Sequence, residues 1–354
     1  MLPTRKGRLL EVRALPELDG LRGVAALIVM IYHGMAAYGP GVWYGYGVDQ
    51  NFGIHQLPVV RALFDGSSMV FLFYTLSGFL LSLKPLSLIR QRRWEDALQT
   101  LSSSAIRRPL RLFLPALLTT NAVMMLHWAG FFEYAGSLST LPDGRRLTQF
   151  ELPATRFSSF RDQLADWYAE SVTMMNPFTW DRRYNPYNSH LWTLTAQLRA
   201  SCVGFLVLLT GARLDATVRV ALLCGMVMLF AKNQKWEIAT TLSGILLAEL
   251  QLFLNRQCES KRESQRWTLL VFLAGIFLAS YPKLKGEETP GFRTVSALTP
   301  PGLVASKWWK SAGAWLLLWA ANNSPQARWL FTTRASQYLG EHPLVASLWE
   351  IIEQ

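Results

Sequence analysis

An all-α bundle of transmembrane helices, with about eight to nine spans in this chain, is the architecture the residues specify. Three observations carry that expectation. Of 354 residues, 51% are hydrophobic and only 17% charged, whereas soluble domains carry about 25% charged residues. The apolar residues gather in runs near the length that crosses a bilayer. The basic residues collect between those runs.

Candidate spans lie near 24–40, 68–88, 110–130, 191–211, 218–231, 236–255, 267–281 and 302–322, with a partial span from 338. Several are shorter than about 20 residues or carry Lys and Gly, and 218–231 carries the weakest signal. Ahead of the first run, residues 1–13 are basic and polar. No small-residue cleavage site follows that run, so it is expected to stay in the membrane as a signal anchor. Three basic clusters then set the orientation: Arg5, Lys6, Arg8 and Arg13; Arg90, Arg92, Arg93, Arg107, Arg108 and Arg111; and Arg256, Lys261, Arg262 and Arg266. Alternating spans put all three on one side, which the positive-inside rule makes cytosolic together with the N-terminus. The long segment 131–190 falls on the opposite side. It mixes acids, bases and aromatics without an apolar span and is expected to cap that entrance. Asn322-Asn323-Ser324 is a glycosylation sequon by pattern, placed on the cytosolic side and so expected to be unused.

The net charge of +11 could suggest a nucleic-acid partner. Its distribution at the ends of apolar runs fits anionic lipid instead, so no nucleic acid is expected. Cys202, Cys224 and Cys258 show neither metal-ligand spacing nor a disulfide framework and read as small apolar packing residues. No metal is expected.

The first run holds the residues of greatest chemical interest. Arg22 and His33 are separated by ten residues, all apolar or Gly apart from Tyr32. In a helix this spacing is about three turns, which puts both side chains on one face, roughly 16 Å apart along the axis. Arg22 then stands at the cytosolic mouth and His33 near mid-depth. Each has an ordinary reading alone, as a positive-inside residue and as an interhelical hydrogen-bonding group. Together they set an anion-binding cation about the length of an extended pantetheine arm from a titratable imidazole. Asp19 could orient Arg22, although capping the helix is the simpler role.

Three further elements stand out. Phe71 to Leu81 contains Ser77-Gly78, a small surface for close helix approach, for which packing is the preferred reading. Arg107-Arg108-Pro109-Leu110-Arg111 opens the third span from the cytosolic side; its guanidiniums suit bidentate phosphate binding as well as membrane anchoring. Asn188 to Arg199 opens the fourth span and includes Trp192 and Gln197.

These motifs together resemble the membrane acyltransferase-3 family. That family begins with a Leu-Asp-Gly-Leu-Arg-Gly segment in which Arg and His are separated by ten residues. It continues with Phe-x-Leu-Ser-Gly-Phe-Leu, an Arg-Arg-x-x-Arg run and Leu-Trp-(Ser/Thr)-Leu/Ile-x-x-Glu, the last most closely matched here in the wording of fungal members. The resemblance covers roughly residues 15–340. Gln197 stands where the family usually has Glu, and Gln cannot act as a base. Tyr338-Leu339-Gly340 matches the start of a C-terminal element that Glu341 to Gln354 do not continue, and the family's usual further C-terminal spans do not follow. The chain therefore divides into an acyltransferase-type membrane domain, 1–340, and a divergent or truncated end, 341–354.

The resemblance implies an O-acyltransferase that moves an acyl group from cytosolic acyl-CoA, a co-substrate rather than a cofactor, to a hydroxyl of a sugar, lipid or small molecule. His33 is the candidate base, since a neutral imidazole titrates near working pH. His55, His127 and His190 have no comparable setting in the sequence. Arg22, Arg107, Arg108 and Arg111 are the candidate donor-binding residues. Asp19, Trp192 and Gln197 are candidates for orienting groups or for the acceptor side. Two other classes stay open: a transporter or lipid-handling protein, since intramembrane ionisable residues also mark transport pathways, and an inactive relative.

Overall fold

The structure, a computed structural model, describes residues 15–133, 154–180, 184–257 and 265–341. Twelve helices follow one another among them: α1 (Pro16–Tyr38), α2 (Gly66–Arg90), α3 (Trp94–Trp128), α4 (Phe160–Met175), α5 (Trp192–Thr210), α6 (Ala216–Lys232), α7 (Trp236–Gln257), α8 (Gln265–Ala279), α9 (Arg293–Ala297), α10 (Ala305–Asn323), α11 (Pro325–Phe331) and α12 (Arg334–Glu341). The described residues contain no β-strand. Each of the eight predicted full spans holds a helix. Four helical segments, Pro16–Tyr38, Gly66–Arg90, Trp94–Trp128 and Ser189–Thr210, are long and apolar enough to cross a membrane.

α2 is the hub. Its start is fixed by Asp65, whose carboxylate accepts a hydrogen bond from the Ser67 backbone amide at 3.1 Å. It has no polar stripe, as expected for a helix surrounded by others, and it packs on α7, α10, α1 and α3. Between apolar helices in lipid the hydrophobic drive is small, so close packing and interhelical polar bonds hold the bundle. Close packing is clearest where α2 crosses α7. A Cβ at Gly78 would overlap the Thr241 carbonyl, and one at Gly244 would overlap that of Thr75. Polar bonds add to it: Glu249 of α7 accepts Arg90 of α2 at 2.8 Å and Arg219 of α6 at 2.7 Å, and Trp315 of α10 donates to the Ser243 carbonyl at 3.2 Å.

The first and last described helices meet. Gly23 of α1 lies against Leu339 and Gly340 of α12, closely enough to leave no room for a Cβ. Glu17 pairs with Arg328 of α11 at 3.7 Å. The glycines flanking Arg22 therefore serve this contact, and Tyr338-Leu339-Gly340 is its other half. Residues 342–354, nearly all of the predicted divergent end, lie outside the described residues, as do Arg5, Lys6, Arg8, Arg13, Lys261, Arg262 and Cys258.

Several expectations need correction. α3 begins at Trp94, well before 110, because Ala97 and Leu101 continue a buried helical face through residues too polar to read as a span. Arg107 to Arg111 consequently sit well inside the helix and do not open it. Asp19 does not cap α1. The helix starts at Pro16 with Leu15 in the capping position, which leaves Asp19 inside the first turns and 3.7 Å from Arg22. Segment 131–190 holds no span among its described residues, as expected, but it does contain a helix: α4 packs on α3 and α5. It is anchored by Trp167 donating to Thr120 at 3.1 Å and by Tyr187 donating to Asp166 at 2.6 Å. Burial, reinforced by that bond to Asp166, pushes the Tyr187 hydroxyl above its ordinary range. Cys202 and Cys224 are exposed on outward helix faces and are not packed inside.

Candidate functional site

α1 is designed around two faces. Leu18, Leu21, Ala25 and Ile28 go into the core, while Arg22, Val29 and His33 open onto a cavity of about 1020 Å³. The helix stops at Tyr38, where Gly39 turns extended ahead of Pro40. His33 is therefore five residues, about 7.5 Å, from the C-terminal end of the helix. Arg22 lies near the other end.

α2 and α3 supply the wall opposite. Arg107, Arg108 and Arg111 all line the cavity, as does Ser77. Arg108 donates to the Ser77 hydroxyl, and its Nε, also buried, has no partner. Ser77 thus belongs to the cavity, whereas Gly78 beside it serves packing. The packing reading of the Ser77-Gly78 pair holds for its glycine, while its buried serine accepts an interhelical hydrogen bond and also lines the cavity.

α5 closes the third side. The Asn188 side chain accepts the His190 backbone amide at 3.0 Å and starts the short 3₁₀ turn Ser189–Leu191. That turn points His190 at His33, with ring centroids 4.0 Å apart and planes inclined at 55°. His190, which has no distinctive setting in the sequence, is the imidazole nearest the candidate base. His55 and His127 are elsewhere, against Phe64 and Phe132. Trp192 and Gln197 also line the cavity. Among the described residues the one carboxylate on its walls is Glu237 of α7, which holds Arg199 at 3.2 Å.

The cavity has a second basic end. Lys283, in the α8–α9 connection, and Lys307 and Lys310 of α10 line it beyond His33. Lys310 is buried and donates to Asp65 at 2.7 Å and to Ser67 at 2.5 Å. Arg61 donates to the same Asp65 oxygen at 3.1 Å. Burial would raise the Asp65 carboxyl; Lys310 and Arg61 more than offset it and hold the group below its usual range.

One chamber therefore joins a guanidinium cluster to an imidazole pair, and the sequence profile that the chain matches agrees with the chemistry such a chamber suggests. Residues 15–349 match the Acyltransferase domain family. The chain belongs to that family. It is an acyl-transferring enzyme. Among fungal acyltransferases, it is 29% identical to O-acetyltransferase PaAT-1 of Phomopsis amygdali over 91% of this chain and 69% of that protein. It is 26% identical to acyltransferase clz18 of Cochliobolus lunatus over 92% of this chain and 79% of that one. No solved structure matches the chain. Of this acyltransferase's predicted site residues, the cavity gathers Arg22, His33, Arg107, Arg108, Arg111, Trp192 and Gln197. Asp19 reaches it only through Arg22. Sequence reasoning missed His190, two positions before Trp192, and the lysines, whose segments carry no motif and meet α1 only in the folded chain.

Proposed function

We propose that the protein is a membrane-bound O-acyltransferase that uses acyl-CoA, with His33 as base. The observation that carries the reading is the placement of His33 and four arginines on the walls of one cavity. Phosphates and the adenosine end of the donor lie at Arg22, Arg107, Arg108 and Arg111, where planar guanidiniums bind them bidentately. The pantetheine arm runs along α1 and brings the thioester to His33. The imidazole takes the proton of the acceptor hydroxyl as its oxygen bonds to the thioester carbonyl carbon. The tetrahedral adduct then collapses, the C–S bond breaks, and the imidazolium returns the proton to the departing CoA sulfur. The products are an ester and CoA, and His33 is neutral again.

Orientation follows from the same reading. Gly66 at the start of α2 lies against Tyr32 near the C-terminal end of α1, so the α2–α3 turn with Arg92 and Arg93 shares the end that carries Arg22. The positive-inside rule makes that end cytosolic, which is where acyl-CoA is found. Membrane lipid covers outward residues such as Ile106, Leu110, Leu114 and Leu118 of α3.

Purified full-length protein incubated with ¹⁴C-acetyl-CoA tests the donor assignment. Saturable binding that is competed by CoA is expected. Failure to bind acyl-CoA would sink the reading and favour a transport or lipid-handling role for the cavity. Cysteines at positions 92 and 178, in a background lacking Cys202, Cys224 and Cys258, test the orientation. Labelling of both from the same side of sealed vesicles would overturn it.

A further inference from the structure

The lysine end of the cavity is unaccounted for by the donor, whose phosphates are assigned to the arginines on the other side of His33. Among the described residues, one buried cluster at this end carries more positive than negative charge. Arg61, Asp65 and Lys310 are all buried, and they place two cations around one carboxylate. A buried surplus of charge is costly unless a counter-charge arrives. Lys310 also keeps a donor in hand. Its ammonium has three protons, and Asp65 and Ser67 take two.

A second cation stands beside it. The Lys283 backbone amide donates to the Trp43 carbonyl at 3.1 Å, and its ammonium lies 5.0 Å from the Trp43 ring centroid. Trp43 in turn donates to the Tyr32 hydroxyl at 3.1 Å. Tyr32 precedes His33, so this chain of contacts ties the Lys283 segment to the turn of α1 that carries the proposed base. Lys283 lies within electrostatic range of both His33 and Lys310. Ser67 and Tyr32 supply hydroxyls on the same wall. Glu237, the one carboxylate on the wall among the described residues, pairs with Arg199 at 3.2 Å.

We propose that the acceptor is an anionic hydroxyl compound whose carboxylate is held by Lys310 and Lys283, so that its hydroxyl is presented to His33. The inference rests on the acyltransferase reading, in which the arginine end is the donor's. It adds the class of acceptor: hydroxy acids are taken and their neutral esters are not. The lysines bind and position; they take no part in the proton transfer.

The test uses the full-length detergent-solubilised protein and L-lactate, the smallest chiral hydroxy acid, with methyl lactate as the uncharged control and chloride matching the ionic strength. Lactate should raise the melting temperature in a saturable way and methyl lactate should not. Lys283→Gln should weaken the apparent lactate affinity about tenfold or more, the scale of a lost charge-assisted hydrogen bond. Lys310→Met should do the same; should that variant fail to fold, Lys283→Gln, at a largely exposed position, decides alone. Equal shifts with lactate and methyl lactate, no shift with lactate, or a lactate shift unaltered in Lys283→Gln would each overturn the proposal. Acetyl-CoA binding is measured on the same samples. Its loss in the wild type would sink the donor assignment while the lysine-dependent lactate response stood, so the two failures are distinguishable.

Discussion

The rings of His33 and His190 face each other at 4.0 Å, one from α1 and the other from the turn ahead of α5. At that distance His190 touches the ring proposed to take the acceptor proton and can fix its orientation. His190→Ala should lower kcat with little change in acyl-CoA affinity, and His190→Asn should recover part of the loss by restoring a hydrogen-bonding side chain. A His190→Ala enzyme with wild-type kcat would make the ring contact merely structural.

Helix packing at the hub gives a prediction independent of chemistry. Gly78→Ala drives a methyl group into the Thr241 carbonyl, and Gly244→Ala does the same to Thr75. Because backbone is in the way on both sides, each should cost about 1–3 kcal/mol and lower the melting temperature in detergent. Gly225→Ala is the control, since nothing lies within 4 Å of its added carbon. Similar melting temperatures for Gly78→Ala and Gly225→Ala would contradict the α2–α7 contact.

Glu249 is fully buried and holds Arg90 and Arg219 together from three helices. Glu249→Gln removes the carboxylate that, among the described residues, offsets two guanidiniums there and should cost about 3–5 kcal/mol. Adding Arg219→Met to Glu249→Gln should recover part of that by removing one stranded cation. Thermal unfolding of the two variants checks the order; a double variant less stable than the single one would mean that Arg219 contributes through other contacts.

Much of this arrangement can be read in the sequence, and the reason differs from element to element. The position of α1 and its two candidate site residues follows from helical periodicity alone, since the eleven-position step fixes a shared face. Gly78 is legible because a small residue in an apolar run has few other uses. His190 is not. Its placement depends on an Asn188 turn and on where α5 docks, neither of which periodicity encodes. Lys283, Lys307 and Lys310 read as ordinary loop and helix-end charges until the α8–α9 connection is strapped to Trp43. The start of α3 is hidden because its first turns are amphipathic and lack the uniform apolarity by which a span is recognised.

Arg22 separates charge from geometry. Arg22→Lys keeps the positive charge and the neighbouring Asp19, but loses the planar fork that meets a phosphate bidentately. Acyl-CoA affinity should fall by about tenfold, on the scale of one charge-assisted hydrogen bond. Isothermal titration of both proteins with acetyl-CoA is the measurement, and indistinguishable affinities would remove Arg22 from the donor site.

His33 carries the proposed mechanism, and its replacement must be read against folding. His33→Ala should leave acyl-CoA binding near wild type, because the proposed phosphate site, Arg22 included, lies toward the other end of α1. Turnover should fall by about 10²–10⁴-fold, the usual contribution of a general base. His33→Gln is the stricter variant: it keeps a polar side chain opposite His190 but cannot accept and release a proton near neutral pH. Both should therefore lose turnover alike while retaining the wild-type melting temperature. If His33→Gln transfers acetyl groups at the wild-type rate, the imidazole is not the base. If instead His33→Ala unfolds while His33→Gln is stable and inactive, the ring serves both packing against His190 and proton transfer, and the loss of rate in the Gln variant still measures the second role alone.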